Sequence, residues 1–285
     1  MISIHLPAKI LMTTNQKSPK SKDWFLETSV PRNLFFGHSL QREDVKKHLG
    51  RAKCWSSHYV RMEYKRSVVK TLIDLYHVAL EEDSPSDALT FFSQSYKIRE
   101  AKTVLSAVGE LAKEPDILNN KEKFLIKLQM LIASAERHLD NVVEFVKNET
   151  DCPLAKASTS KNYKTFLDEI SCRTNCDVDS LWHKSKPQIR QLTSVEARAD
   201  HGSNDGFTKH LQVVESAIDN PSAPKSILNC KKVGDFVIAL EMPRGLRMLT
   251  TDRAFEAICA VLKKDFVRLR SLSELRRERD AQLST

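Results

Sequence analysis

The sequence predicts an α/β fold, in which a parallel sheet flanked by helices is split by a large all-helical insertion. Strand-like and helix-like segments alternate near both ends of the chain, whereas long amphipathic helices without strand patterns occupy the middle. Only seven of the 285 residues are glycine, and Leu, Lys, Glu and Ala recur at helical spacing. This composition favours helix and argues against an all-β architecture.

The N-terminal part begins with residues 1–22, a leader that we expect to be partly disordered. WFLETSV predicts a first strand, and PRNLFF, with Pro31 in its first turn, predicts a helix. QREDVKKHLG predicts a second helix that ends at Gly50, and CWSS predicts a second strand. YVRMEYKRSVVKTLIDLYHVALEE has apolar residues every three or four positions, which predicts a long amphipathic helix. Residues 23–83 are therefore predicted to form the first half of the α/β domain.

The middle of the chain, residues 84–220, is predicted to be the helical insertion. PSDALTFFSQSYKIREAKTVLSAVGELAKE and KEKFLIKLQMLIASAERHLDNVVEFVKNE both have helical periodicity, with no strand pattern between them. The second segment carries an apolar stripe of Phe124, Leu128, Leu131 and Leu139. Such a stripe is typical of a packed helix face, so we assign it to the core and not to a binding groove.

The alternating pattern returns in residues 221–271. A helix through Asp235 precedes the strand LRMLTT, the helix RAFEAICAVLKK and a last strand, FVRLR. Because alternating strands and helices predict a parallel sheet, we expect the two ends of the chain to complete one sheet together. The tail, residues 272–285, is predicted to be a polar helix or disordered.

Four acidic residues lie near the predicted strands, and two of them, Glu27 and Glu63, occupy equivalent turning points between strand-like and helix-like sequence. Glu27 ends the first strand, Glu63 follows CWSS, Asp235 lies in the helix before LRMLTT, and Asp252 follows that strand. Sites in open parallel sheets form beyond the carboxyl ends of the strands, so we expect these carboxylates to meet at one edge. Such hard oxygen ligands suit Mg²⁺ or Mn²⁺, which can activate water beside a phosphodiester.

The segments FLETSV, SSHYVRMEYKR and VGDFVIALEMPRGLRMLTTDRAFEAIC resemble motifs of the PIN-domain family, the PilT N-terminus-like metal-dependent nucleases. The resemblance covers roughly residues 23–80 and 226–271 and implies a compact α/β fold. It implies an endoribonuclease that hydrolyses RNA phosphodiesters at a catalytic quartet of Glu27, Glu63, Asp235 and Asp252. Because the family includes toxin ribonucleases, a protein partner such as an antitoxin is also implied.

The resemblance further implies individual roles. Glu27, Asp235 and Asp252 would bind Mg²⁺ or Mn²⁺, Glu63 would bind the metal or position water, and Thr28 or Ser29 would assist beside the first acid. Yet this chain has Glu27 where the family has Asp, which places the carboxylate one methylene, roughly 1.5 Å, further from the backbone. Since Mg²⁺ demands near-octahedral geometry, this change could abolish cleavage. The alternative function is a catalytically degenerate PIN-like module that binds nucleic acid or protein.

Each acid also has a purely structural interpretation. Asp252 could cap the helix RAFEAIC, Glu63 could pair with Arg66 one turn later, and Asp235 could interact with a helix dipole. Basic residues beside the same motifs could hold a nucleic-acid backbone, or could pair with carboxylates and cover the sheet edge. The predicted substrate contacts are Arg32, Arg61, Lys65, Arg66 and Arg253.

The cysteines supply a second candidate site. Cys172 and Cys176 have a C-x₃-C spacing that structural zinc sites use, and Cys152 and Cys230 could complete a tetrahedral set. His183 could replace one of these cysteines as a ligand. The four thiolates could instead hold an iron–sulfur cluster, or the cysteines could be free thiols.

The remaining observations concern partners and compartment. Cys54 and Cys259 lie in apolar segments and are predicted to be core residues. No secretion signal accompanies the six cysteines, which predicts a cytoplasmic protein without disulfides. The net charge of +8 favours polyanionic partners such as RNA, although acids and bases are interspersed. The sequence has no apolar run that predicts a membrane helix, and no P-loop or GxGxxG motif.

Overall fold

The structure is a computed structural model that describes residues 23–95, 105–106, 108–109, 111, 114, 116–152, 177–192, 194 and 227–283. In these ranges, helices flank one central sheet. The predicted leader, residues 1–22, lies outside the described residues.

Five strands form the central sheet: β1 (Trp24–Leu26), β2 (Cys54–Ser56), β3 (Glu144–Phe145), β4 (Arg247–Thr250) and β5 (Phe266–Arg268). Neighbouring strands are all parallel, and their order across the sheet is β3-β2-β1-β4-β5. Phe25 of β1 lies opposite Trp55 on one side and opposite Met248 on the other. The predicted parallel sheet, completed by the two ends of the chain, is confirmed.

The central strands consist almost entirely of buried residues. All of β1 is buried, and so are Met248, Leu249 and Thr250 of β4. Helices cover both faces of a parallel sheet, so its strands are apolar on both sides and do not alternate with polar residues. Short apolar runs bounded by polar turns were therefore the right signal for these strands.

The helices of the described residues are α1 (Ser29–Phe36), α2 (Ser39–Leu49), α3 (His58–Tyr64), α4 (Lys70–Glu81), α5 (Pro85–Ser95), α6 (Lys121–Val142), α7 (Val178–Lys184), α8 (Lys186–Leu192), α9 (Ile227–Glu241), α10 (Arg253–Val261) and α11 (Leu272–Leu283). A π-helical turn, Lys65–Val69, joins α3 to α4, so the predicted long helix is continuous but wider for one turn. As predicted, α2 ends at Gly50, whose φ of 52° favours glycine.

Part of the range predicted to be a helical insertion belongs to the α/β domain. β3 pairs with β2, and α6 packs against α1 and α4. The predicted domain boundary at residue 84 is therefore wrong for residues 121–145. The sequence did not reveal β3 because a two-residue strand at the sheet edge, directly after a long helix, has no pattern of its own. Much of the remaining range, including residues 153–176 and 195–226, lies outside the described residues.

The apolar stripe of α6 faces the core, as predicted. Phe124, Leu128 and Leu139 are at most 1% exposed, and Leu131 is partly buried against the same core. This stripe therefore fixes α6 to the helices that cover the sheet, and it does not form an open groove.

The tail forms α11, which packs against α2. Arg270, just before α11, makes an ion pair with Asp44 of α2, whose side chain is almost fully buried. The last described helix is thereby attached to the first half of the chain. No described helix combines the length and the apolar character that crossing a membrane requires.

Candidate active site

Glu27 lies directly after β1, at the carboxyl edge of the sheet, and is only 3% exposed. Its Oε2 accepts a hydrogen bond from the backbone N–H of Ser29 at 2.7 Å. Its Oε1 accepts from the Ser29 hydroxyl, from the Thr250 hydroxyl at 3.1 Å and from the Thr251 N–H at 3.2 Å. The carboxylate therefore receives four hydrogen bonds, supplied by the turn after β1 and the turn after β4.

Hydroxyl side chains connect these two turns further. The Thr251 hydroxyl donates to Ser29 Oγ at 2.5 Å, and the Thr251 N–H donates to the same oxygen at 3.2 Å. The Thr250 Oγ1 accepts from the Asp252 N–H at 2.9 Å. FLETS and TTD, which are more than 220 residues apart in sequence, therefore form one hydrogen-bonded network.

Burial raises the pKa of Glu27 above its ordinary value. The hydrogen bonds from Ser29 and from the Thr251 N–H oppose this shift, as does the positive charge of Arg32. Burial disfavours the charged carboxylate, and N–H and O–H donors favour it.

Glu63 lies on α3 and faces the same edge. Its Oε2 accepts a hydrogen bond from the Thr28 hydroxyl at 2.6 Å. Burial, and then the negative charge of Glu27, raise the pKa of Glu63 to about 7, while Thr28, Arg66 and Arg32 act in the opposite direction. Glu27 therefore lies close enough to Glu63 for its charge to raise the pKa of Glu63.

Gly234, the neighbour of Asp235 on α9, lies against Glu63. A Cβ atom at Gly234 would lie 2.4 Å from Glu63 Oε1 and 3.2 Å from a ring carbon of Tyr59. Only the absence of a side chain at this position lets α9 approach α3 so closely. Asp235 itself is partly buried.

Asp252 is the N-cap of α10. Its Oδ1 accepts a hydrogen bond from the Ala254 N–H at 2.9 Å, and its backbone is extended, as an N-cap residue requires. The structural interpretation of Asp252 as a helix cap is confirmed. Capping occupies one carboxylate oxygen and leaves the residue partly exposed at the carboxyl edge of β4.

Three of the five basic residues predicted to contact substrate lie near the acids or on the surface. Arg32 and Arg66 lie near enough to the acids to lower the pKa of Glu63. Arg253 is exposed on the first turn of α10.

Two of the predicted substrate contacts, Arg61 and Lys65, are occupied by the fold itself. Arg61 makes an ion pair with Asp140 of α6 at 2.5 Å, and its guanidinium lies 5.3 Å from the centre of the Phe145 ring. Lys65 is only 4% exposed. The burial of Lys65 argues against a substrate contact there, whereas the substrate contact of Arg61, which links α3 to its neighbours, stays a prediction.

The acids as arranged do not fit a divalent metal ion. Among the described residues, no group of three or more His, Cys, Asp and Glu side chains could hold a metal ion. Both oxygens of Glu27 also already accept hydrogen bonds in a buried position. The Mg²⁺ or Mn²⁺ site implied by the family resemblance therefore remains a prediction.

The cysteine site cannot be placed from the described residues. Cys172 and Cys176 lie outside them, as does the side chain of Cys230, whereas Cys152 is buried. Burial raises the pKa of Cys54 to about 11 and that of Cys259 to about 12. Cys259 is fully buried, as predicted for a core residue, and Cys54 is partly buried.

Glu241, at the end of α9, is a buried acid that the sequence did not single out. It is 6% exposed, and neither carboxylate oxygen has a hydrogen-bond partner among the described residues. Burial, and then the charge of Glu149, raise its pKa to about 7. The Ser57 and Thr150 hydroxyls oppose the shift, although they do not reach ordinary hydrogen-bond geometry. A lone acid within the apolar run FVIALEMP was the available signal.

Lys264 stabilises the same end of α9. Its Nζ donates to the carbonyl oxygens of Ala239 and Met242 at 2.5 and 2.7 Å, which would otherwise lack partners at the helix end. Burial lowers its pKa to about 8.

The fold and the site together define a protein of the α/β class, with an all-parallel five-stranded sheet and acidic side chains at its carboxyl edge. This architecture is consistent with a PIN-like fold. Comparisons with protein-family models, curated proteins and solved structures find no match for the chain. The resemblance to the PIN-domain family therefore rests on the quoted motifs.

Proposed function

We propose that the protein is a PIN-like endoribonuclease that hydrolyses RNA phosphodiesters at the carboxyl edge of its sheet. One observation carries this proposal. The turn after β1, helix α3 and the turn after β4 bring acidic residues from distant parts of the sequence into one connected network, through the Thr28–Glu63 and Thr251–Glu27 hydrogen bonds.

Glu63 supplies the chemistry that hydrolysis needs. With a pKa of about 7, its carboxyl group is populated in both protonation states near neutrality, which suits a general base. In its ionised form it would take a proton from a water molecule as the water oxygen bonds to phosphorus and the leaving ribose oxygen departs. Arg32 and Arg66 would offset the negative charge of the phosphate. No step is assigned to a metal ion, because the acids as arranged do not form a ligand set.

The second candidate function is a catalytically degenerate PIN-like module that binds nucleic acid or protein. Glu27 favours it, because the residue at the first acidic position of the motif is buried and fully engaged within the protein. In this alternative the basic side chains Arg32, Arg66 and Arg253 would contact a partner without turnover.

Cleavage assays on single-stranded and structured RNAs, with DNA of matched sequence, test the proposal. The natural protein is compared with Glu63→Gln and with Glu122→Gln, an exposed Glu in the first turn of α6. Each is assayed in Mg²⁺, in Mn²⁺ and in a chelator. We expect Glu63→Gln to slow RNA cleavage by about 100-fold or more, because it removes the base, while Glu122→Gln cleaves normally.

Two other results would count against this proposal. Equal cleavage by the natural protein and Glu63→Gln would exclude Glu63 as the base. RNA binding without cleavage in every metal condition would favour the degenerate module. Asp252→Asn provides a further check, since the Asn side chain still caps α10 and any loss of cleavage would not come from unfolding of that helix.

A further inference from the structure

We propose that Glu27 is a positioning residue that locks the turn after β1 to the turn after β4, and that it is not a metal ligand. Glu27 lies at the carboxyl edge of the sheet, where we propose the nuclease site. Its positioning role depends on the proposed nuclease function only for its effect on catalysis. It departs from what the family resemblance implies, namely that the first acid of the quartet binds metal.

The hydrogen bonds of Glu27 leave little room for a metal ion. Each carboxylate oxygen has about two acceptor positions. Glu27 Oε1 is saturated by three hydrogen bonds, from Ser29 Oγ, Thr250 Oγ1 and Thr251 N–H, and Oε2 accepts one from Ser29 N–H. Because the residue is 3% exposed, a metal ion could bind only by displacing donors that would then be buried without acceptors. The arrangement favours a fixed internal contact.

The length of the side chain explains why Glu stands at this position. Aspartate would place the carboxylate roughly 1.5 Å nearer its own backbone. Glu27 extends from the end of β1 to the backbone N–H of Thr251 beyond β4, while its other oxygen stays bonded to Ser29. The added methylene therefore lets one carboxylate bridge both turns.

The bridge determines where two other residues of the edge lie. Thr28, between Glu27 and Ser29, donates its hydroxyl hydrogen to Glu63. Thr250, which donates to Glu27, also accepts the Asp252 N–H and so holds the N-cap residue of α10. Releasing Glu27 is expected to change the environment of both Glu63 and Asp252.

The test uses two variants of the full chain, Glu27→Gln and Ser29→Ala. The Gln amide nitrogen cannot accept the Ser29 N–H, and Ser29→Ala removes the hydroxyl that joins Glu27 to Thr251 while keeping the carboxylate. Three quantities are measured: the Tm, the apparent Kd for Mn²⁺ from the electron paramagnetic resonance signal of the free ion, and the titration midpoint of Glu63 from carboxyl ¹³C NMR.

We expect both variants to lower the Tm by roughly 5 °C or more. The Mn²⁺ affinity should stay within about threefold of the natural protein in both, or be undetectable in all three. The Glu63 midpoint should fall in Glu27→Gln, because the charge that raises its pKa is gone. A residue that only supported the fold at a distance would not move this midpoint.

Two results would overturn the proposal. The first is a loss of Mn²⁺ affinity of tenfold or more in Glu27→Gln that Ser29→Ala, with a similar Tm loss, does not share. The second is a Tm of Glu27→Gln that lies within about 1 °C of the Tm of the natural protein. This result would overturn the proposal even if neither the natural protein nor the variants bind Mn²⁺. Failure of the nuclease proposal shows in the cleavage assays and leaves these readouts intact.

Discussion

Glu27 and Glu241 are both buried glutamates, but they have opposite surroundings. Glu27 is 3% exposed and Glu241 is 6% exposed, and burial raises the pKa of each. Glu27 receives four hydrogen bonds from two turns, whereas in the described part of the chain neither carboxylate oxygen of Glu241 has a hydrogen-bond partner. The two side chains are thus nearly equally buried, but only Glu27 receives hydrogen bonds from the residues around it.

The difference shows what each carboxylate contributes to the fold. The donors around Glu27 can stabilise an ionised carboxylate, so this residue can bind two parts of the chain together. Burial, and then the charge of Glu149, raise the pKa of Glu241 to about 7, so its protonated form is favoured up to that pH. A buried acid therefore strengthens the fold only where the chain provides N–H or O–H groups to meet it.

The largest expected effect is the pH dependence that Glu241 adds to stability. Its pKa is about 7 in the folded protein against an ordinary value of 4.5, so the unfolded chain loses this proton first as the pH rises. Glu241 should therefore lower the free energy of unfolding by roughly 3 kcal/mol between about pH 4.5 and pH 7, in addition to the fall contributed by Glu63, whose pKa is also raised to about 7. In Glu241→Gln the total fall should be smaller by about this amount. Urea unfolding at several pH values measures it.

The exposed Glu122→Gln is the matched control, and it should keep the pH dependence of the natural protein. If Glu241→Gln loses stability with rising pH as steeply as this control does, Glu241 is not the group responsible, and the contrast with Glu27 fails.

A smaller effect is expected in the Glu27 network, the hydrogen-bonded group of Glu27, Ser29, Thr250 and Thr251. Thr250→Val keeps the shape of the side chain but removes the hydroxyl that donates to Glu27 and accepts the Asp252 N–H. Two buried polar groups lose a partner, so we expect a loss of about 2 kcal/mol in the free energy of unfolding, measured by urea titration at pH 7.

The control for this change is Thr71→Val on α4. Thr71 is also buried, but its hydroxyl makes a single hydrogen bond to the Ser67 carbonyl oxygen of the preceding helical turn. We expect this variant to lose about 1 kcal/mol or less. Equal losses from the two variants would mean that the Glu27 network has no special importance for stability.

The smallest effect concerns Glu63. This residue is intermediate between Glu27 and Glu241, because it accepts one hydrogen bond and is partly exposed. Gly234→Ala places a methyl group 2.4 Å from Glu63 Oε1, so the carboxylate must move. The crowding should outweigh the gain in helix propensity and cost about 1 kcal/mol in thermal unfolding experiments. Gly109→Ala, where the methyl meets open space, should be neutral or stabilising. If Gly234→Ala behaves like Gly109→Ala, Glu63 is not held against α9.

Much of the fold could be predicted from sequence, because WFL precedes a helix and CWS, RMLT and FVR each stand between helices. β3 could not be predicted, since a two-residue edge strand depends on pairing with β2 and not on its own sequence. The predicted domain boundary at residue 84 was wrong because it separated α6 from the α/β domain. Where α6 packs is decided by its tertiary contacts with α1 and α4, which the periodicity of the helix does not specify.

The positions of the candidate site residues were predictable, but their bonding was not. Topology places Glu27 and Asp252 at the carboxyl ends of adjacent strands, and that follows from the order of strands and helices. Whether the Glu27 carboxylate faces solvent or its own turn depends on the hydroxyls of Ser29 and Thr250, more than 220 residues apart in the chain. Glu241 was missed because the identity of its neighbours is set by packing alone.

The central position of β1 has a consequence for how the protein is made. β1 pairs with β2 only 30 residues later (54 − 24), but Trp24 meets its other partner, Arg247, 223 residues later (247 − 24). At a synthesis rate of ~5–20 residues per second, the edge of β1 that pairs with β4 stays unpaired for roughly 10 to 45 s during synthesis. An unpaired apolar strand edge is a template for aggregation. A nascent chain that stalls before β4 would therefore be a substrate for chaperones, however stable the finished sheet is.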